Sequence, residues 1–177
     1  MSPIDDKVIE LARTALRFEY GGEHFFRHAA GMTRNASGKA MFLRLAAEET
    51  DRMEDMRRLF SAIIGQDMWQ RFAAEEKANA HPSHVVAEME AEVAKRGHSV
   101  VADDTQALRL AMELERRVIQ LFKELVAHTN DHEVVKLAGK IIDGECFQYD
   151  NLQAQLDSVI NTGMWLDKPE FRMDGKF

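Results

Sequence analysis

Apolar positions recur every three or four residues through four long stretches of this chain, and in each stretch one glutamate interrupts the apolar face. The first stretch carries Val8, Ala12, Ala15, Glu19, Gly22, Phe26 and Ala29 on one side. The third carries Leu108, Ala111, Glu115, Val118, Phe122 and Leu125. Steps that alternate between four and three residues keep side chains on one face of an α-helix. The second stretch reads Phe42, Leu45, Glu49, then Met53 or Arg52, Met56, and Leu59 or Phe60. The fourth reads Ala138, Ile141, Glu145, then Tyr149 or Gln148, Leu152 and Leu156. The pattern predicts four long helices, each with a carboxylate on its buried seam.

Punctuation residues set the expected limits. Pro3 suits a first helical turn, so the first helix is expected from about Ile4 to Ala30, with a break at Gly31, Asn35, Ser37 and Gly38. The second is expected from Lys39 to at least Ile64, ending or kinking at Gly65. Residues 77–104 read as a long connection holding a short helix between His81 and His98. Asp103, Asp104 and Thr105 offer a cap for the third helix, which runs to about His128. Thr129, Asn130 and Asp131 turn into the fourth, which ends near Gly163.

The two halves repeat. Glu19 and Glu115 lie 96 residues apart, as do Glu49 and Glu145, and the same offset relates Ala15 to Ala111, Phe26 to Phe122, Leu45 to Ile141 and Met56 to Leu152. The expected fold class is all-α: a ferritin-like four-helix bundle of two helical hairpins joined by a long crossover. Residues 1–163 form the bundle and residues 164–177 a tail.

Composition narrows the reading. Gly (10) and Pro (3) are too scarce for a turn-rich β fold. A net charge of −7 argues against nucleic acid or an anionic membrane as partner. No apolar run is long enough for a transmembrane helix. The N-terminal residues lack the apolar core of a signal peptide, and the lone Cys146 allows neither an intrachain disulfide nor a CxxC metal site. A cytoplasmic location is expected. The tail places Trp165, Phe171 and Phe177 among charges with no seam of its own, which reads as interface anchoring and a homodimer or larger assembly.

Four seam glutamates require compensation, because one unpaired buried carboxylate costs several kcal/mol. Bundle helices that each project a glutamate inward commonly hold metal cations. The candidate metal ligands are therefore Glu19, Glu49, Glu115 and Glu145, with iron expected, or another divalent ion such as manganese or zinc.

The stretches RFEYGGEHFF, RLAAEETDRMEDM, LAMELERRVIQLF and IIDGECFQYDNLQAQL, with the tail GMWLDKPEFRMDG, resemble the rubrerythrin family of the ferritin-like superfamily over nearly the whole chain, without a rubredoxin domain. The resemblance implies a carboxylate-bridged di-iron type centre on the same four glutamates, self-association, and an oxidoreductase that reduces peroxide or oxygen or handles iron. Two departures stand against turnover. The family's Glu-x-x-His motifs appear here as Glu49-Thr50-Asp51-Arg52 and Glu145-Cys146-Phe147-Gln148, so Arg52 and Gln148 fill the slots of both histidines. Positions that are often Tyr in the family are Phe26 and Phe122.

A metal-free alternative follows from the same residues. Arg52 can grip one carboxylate and Gln148 can donate to another, giving a non-enzymatic protein with a structural or binding role. Four carboxylates against one guanidinium still leave three negative charges. The remaining candidates read as ordinary: His24 and His28 as solvated, His81 and His84 as capping or exposed, Cys146 as a packed thiol.

Overall fold

The computed structural model describes residues 6–79, 87, 91, 95 and 104–166. Five helices are bounded within them: α1 Asp6–Met32, α2 Ala36–Ile64, α3 Gln66–Asn79, α4 Asp104–Ala127 and α5 His132–Thr162. No strand occurs among the described residues, so the fold class is all-α.

Local chemistry explains the boundaries. Asn35 has extended backbone, and its side chain accepts the amides of Ser37 (2.9 Å) and Gly38 (3.2 Å). That cap starts α2 at Ala36, so Ser37 and Gly38 lie inside its first turn rather than in the break. Asp131 does the same for α5 through the amides of Glu133 and Val134. Gly65 (φ 88°) ends α2 and Gly163 (φ 69°) ends α5; both need the left-handed side of φ space, where a Cβ is costly. The turn at Gly65 makes residues 66–79 a helix of their own. Of the crossover helix expected between His81 and His98, positions 87, 91 and 95 are helical and exposed; the rest lies outside the described residues.

α1 packs along α2 and α4 along α5, so the two hairpins exist as pairs. They meet through α1 with α4 and α2 with α5, while α3 lies on α1 and α2. Residues related by the 96-residue offset are buried alike: Ala15 and Ala111, and Phe26 and Phe122, have no exposed surface. Each fully buried phenylalanine contributes about 2–3 kcal/mol of apolar burial.

The aromatic residues gather in two groups. Phe26 lies over Phe42 (6.5 Å), which meets Trp165 edge-on (5.6 Å). Phe60 touches Phe122 (6.1 Å) and stacks on Trp69 of α3 (5.6 Å). Phe42 precedes Glu49 along α2 and Phe60 follows it. The glutamate layer therefore has an apolar aromatic wall on either side.

Trp165, expected at an interface, is buried against its own chain. It is 8% exposed, its indole N–H donates to Asp104 (3.1 Å), and its ring lies where Gly38 leaves room. A Cβ at Gly38 would stand 2.7 Å from that ring. The indole is thus spent within its own chain, because the bundle end offers it an aromatic neighbour and an acceptor. Phe171 and Phe177 lie outside the described residues.

Candidate metal centre

Glu19, Glu49, Glu115 and Glu145 each sit within two residues of the midpoint of their helix. All four are almost fully buried, at 1%, 3%, 1% and 0% exposure. Four carboxylates at one depth in facing helices must interact, and the electrostatics show that they do. Burial raises Glu19 well above the usual carboxylate range, helped by the charge of Glu49, against the pull of Arg52. Glu115 rises for the same first reason, with Glu145 and then Glu49 adding repulsion. Burial also raises Glu145, to about 7; Arg52 and the neighbouring Glu115 hold it from going higher.

These directions sort the four into two acid pairs: the neighbouring Glu49 favours the protonated form of Glu19, and the neighbouring Glu145 favours that of Glu115.

Arg52 joins the pairs. Its side chain is 13% exposed; Nη2 donates to Glu49, and Nε lies 3.0 Å from Glu145 Oε1 and 3.8 Å from Glu19 Oε2. The Nε contact is an ion pair without hydrogen-bond alignment. Burial works to lower the Arg52 pKa, but Glu49, Glu145, Glu19 and Glu115 outweigh it and drive it upward. The guanidinium thus reaches from α2 to α5 and contacts one member of each pair. Of the two residues the α2 pattern allowed after Glu49, Arg52 is the inward one.

Gln148 also takes the seam, at 7% exposure, but its amide donates to Glu48 rather than to one of the four seam glutamates. Glu48 is half-exposed, and burial raises its pKa. Seam spacing does not single out Glu48; its place beside Glu49 in an unbroken Glu48-Glu49 pair is the available signal. Gly22 matters more than a seam position alone suggests. A Cβ there would stand 2.8 Å from Leu114 Cδ2 and 3.3 Å from Glu49 Cδ. The absent side chain is the space into which the Glu49 carboxyl fits.

Several oxygens have no hydrogen-bond partner: both of Glu19, both of Glu145, Oε1 of Glu115, and Oε1 of Gln148. The same chain satisfies another buried carboxylate fully. Glu113, 3% exposed, receives Arg116 at 2.9 and 2.7 Å and Arg117 at 3.1 Å. The bare oxygens of the centre are a local feature rather than a habit of the fold. Phe26 and Phe122 supply no hydroxyl to them.

An anionic all-oxygen set suits a hard or borderline divalent cation. It fits a bridged iron pair less well, since no imidazole stands in the histidine slots. Among the described residues, no three carboxylate, imidazole or thiolate groups form a ready-made metal cage. Three of the four carboxylates are instead gathered around the Arg52 guanidinium.

The other candidates fall outside the centre. His24 and His28 are exposed on α1. Cys146, expected as a packed thiol, is exposed, because the residue after Glu145 points about 100° around the helix from the seam. His81 and His84 lie outside the described residues. No helix is long and apolar enough to cross a membrane among the described residues. No protein-family model, curated protein or solved structure matches this chain.

Proposed function

We propose that the chain is a ferritin-like, rubrerythrin-like carboxylate protein that binds a divalent cation, of iron or manganese type, at the middle of its bundle. The observation that carries this reading is the set of buried oxygens without partners on Glu19, Glu115 and Glu145. Glu19, Glu49, Glu115 and Glu145 would hold the ion, and Gln148 offers a neutral oxygen beside them. A bound redox-active cation would supply electrons to peroxide or oxygen. The protein's part is to exclude water with two aromatic walls and to hold protons on Glu19 and Glu115 until the cation replaces them.

One observation favours a second reading. Arg52 already contacts three of the four carboxylates, which supports a metal-free polar core with a structural or binding role. Glu145 separates the two. In a cation-binding protein, Glu145→Ala lowers both the metal content and the melting temperature of the loaded form. In a metal-free one, Glu145→Leu raises stability, since an apolar group replaces a buried charge. Elemental analysis of protein purified without chelator decides. Metal content unchanged after replacement of all four glutamates would end the metal reading.

A further inference from the structure

We infer that Arg52 is itself one of the cations of this centre, so that the four glutamates accept one divalent ion rather than a bridged pair. The inference rests on the cation-binding reading above and adds its stoichiometry and its limit.

The first support is position. Arg52 is no surface residue folded back by chance: it is nearly buried and meets carboxylates of α1, α2 and α5 at once. A group that spans carboxylates from facing helices does the bridging that a second metal ion would otherwise do. The second support is permanence. A guanidinium keeps its charge at any pH a protein survives, so it cannot make way by losing a proton. It leaves only by swinging out, which would strip Glu49 of its donor.

The third support is charge. Four ionised carboxylates and Arg52 sum to three negative charges. One divalent ion brings the total to a single negative charge. A second would turn the four-glutamate layer positive beside a fixed guanidinium, with only the half-exposed Glu48 near it to offset the charge. The fourth support is what Arg52 leaves over. Glu19 and Glu145 keep both oxygens bare and Glu115 one, although Arg52 stands among them, and Gln148 Oε1 is bare as well. Gln148 is more than nine-tenths buried and carries no charge, so its oxygen is an acceptor that the acid pairs do not explain.

The test uses manganous ion as probe on the full chain after chelator treatment. Wild type, Arg52→Gln and Arg52→Lys are loaded by equilibrium dialysis, and bound metal is counted per chain. Electron paramagnetic resonance separates isolated ions, with resolved hyperfine structure, from exchange-coupled pairs. Wild type and Arg52→Lys are expected to bind one isolated ion, and Arg52→Gln to bind two with a coupled spectrum. Two ions in the wild type overturn the inference, and that result stands even if Arg52→Gln does not fold. One ion in a folded Arg52→Gln protein also overturns it, while leaving the cation-binding reading intact. No ion in any of the three overturns the reading itself, and with it the inference.

Discussion

Raising the pH should weaken the metal-free protein across a range where most proteins gain or hold stability. The cause is Glu145, whose folded pKa stands at about 7 against 4.5 for the free side chain. Below pH 4.5 the carboxyl is protonated in both folded and unfolded chains and favours neither. Between 4.5 and 7 the unfolded chain ionises while the folded chain keeps its proton. Folding then takes up a proton, and stability falls as pH rises. A gap of two and a half pH units corresponds to about 3 kcal/mol. For a chain of this size that is about 6–12 °C in melting temperature. Glu19 and Glu115 are raised in the same sense, so the loss continues above pH 7. The assay is thermal or urea unfolding in the presence of chelator at several pH values from about 5 to 8. Replacing Glu145 by Leu should flatten part of the slope. Manganous ion should reverse it, because a cation competes with the proton and binds best where the carboxylates are ionised. A metal-free profile that is flat, or that rises from pH 5 to 8, would refute the acid-pair account of the core.

Three further outcomes follow from particular contacts. The double change Arg52→His, Gln148→His should raise ferrous affinity by at least about tenfold, since it removes a fixed positive charge and adds two imidazoles one turn from Glu49 and Glu145. It should raise peroxide consumption under the same reductant; a titration showing no tighter binding would mean that these two slots do not serve the centre. Gly22→Ala should gain about 1 kcal/mol of helix propensity but lose about 1–3 kcal/mol to overpacking against Leu114 and Glu49, a net loss read by urea unfolding. Trp165→Phe should cost about 1–2 kcal/mol, because the Asp104 carboxylate loses its indole donor, and unchanged stability would show that this contact carries no weight.

The helical seams were legible because their spacing is a direct consequence of 3.6 residues per turn. The residues expected on them are buried almost without exception, and the 96-residue offset paired positions of equal burial. Glu19, Glu49, Glu115 and Glu145 were legible for the same reason. What spacing could not give is direction across the core. Arg52 and Met53 both fit the α2 seam, and only the placement of Glu145 on the facing helix shows why the charged one turns inward. Gln148 was expected to donate to the cluster; it finds Glu48 instead, a contact between residues 100 positions apart that no local pattern encodes. The start of α2 was misjudged because Gly38 looks like a break, whereas Asn35 caps the amide of Gly38 and Trp165 needs the space above it.

The repeat has a consequence at one pair of unlike residues beside its glutamates. Arg52 and Gln148 are separated by the same 96 residues as the glutamates they follow. Two separate copies of one hairpin would carry the same residue at both places, either two guanidiniums crowded together or two neutral amides. Joining the hairpins in a single chain lets the equivalent positions differ. Arg52 then gives the centre a charged half and Gln148 a neutral half, and any ion or small molecule that enters meets a site with a built-in orientation.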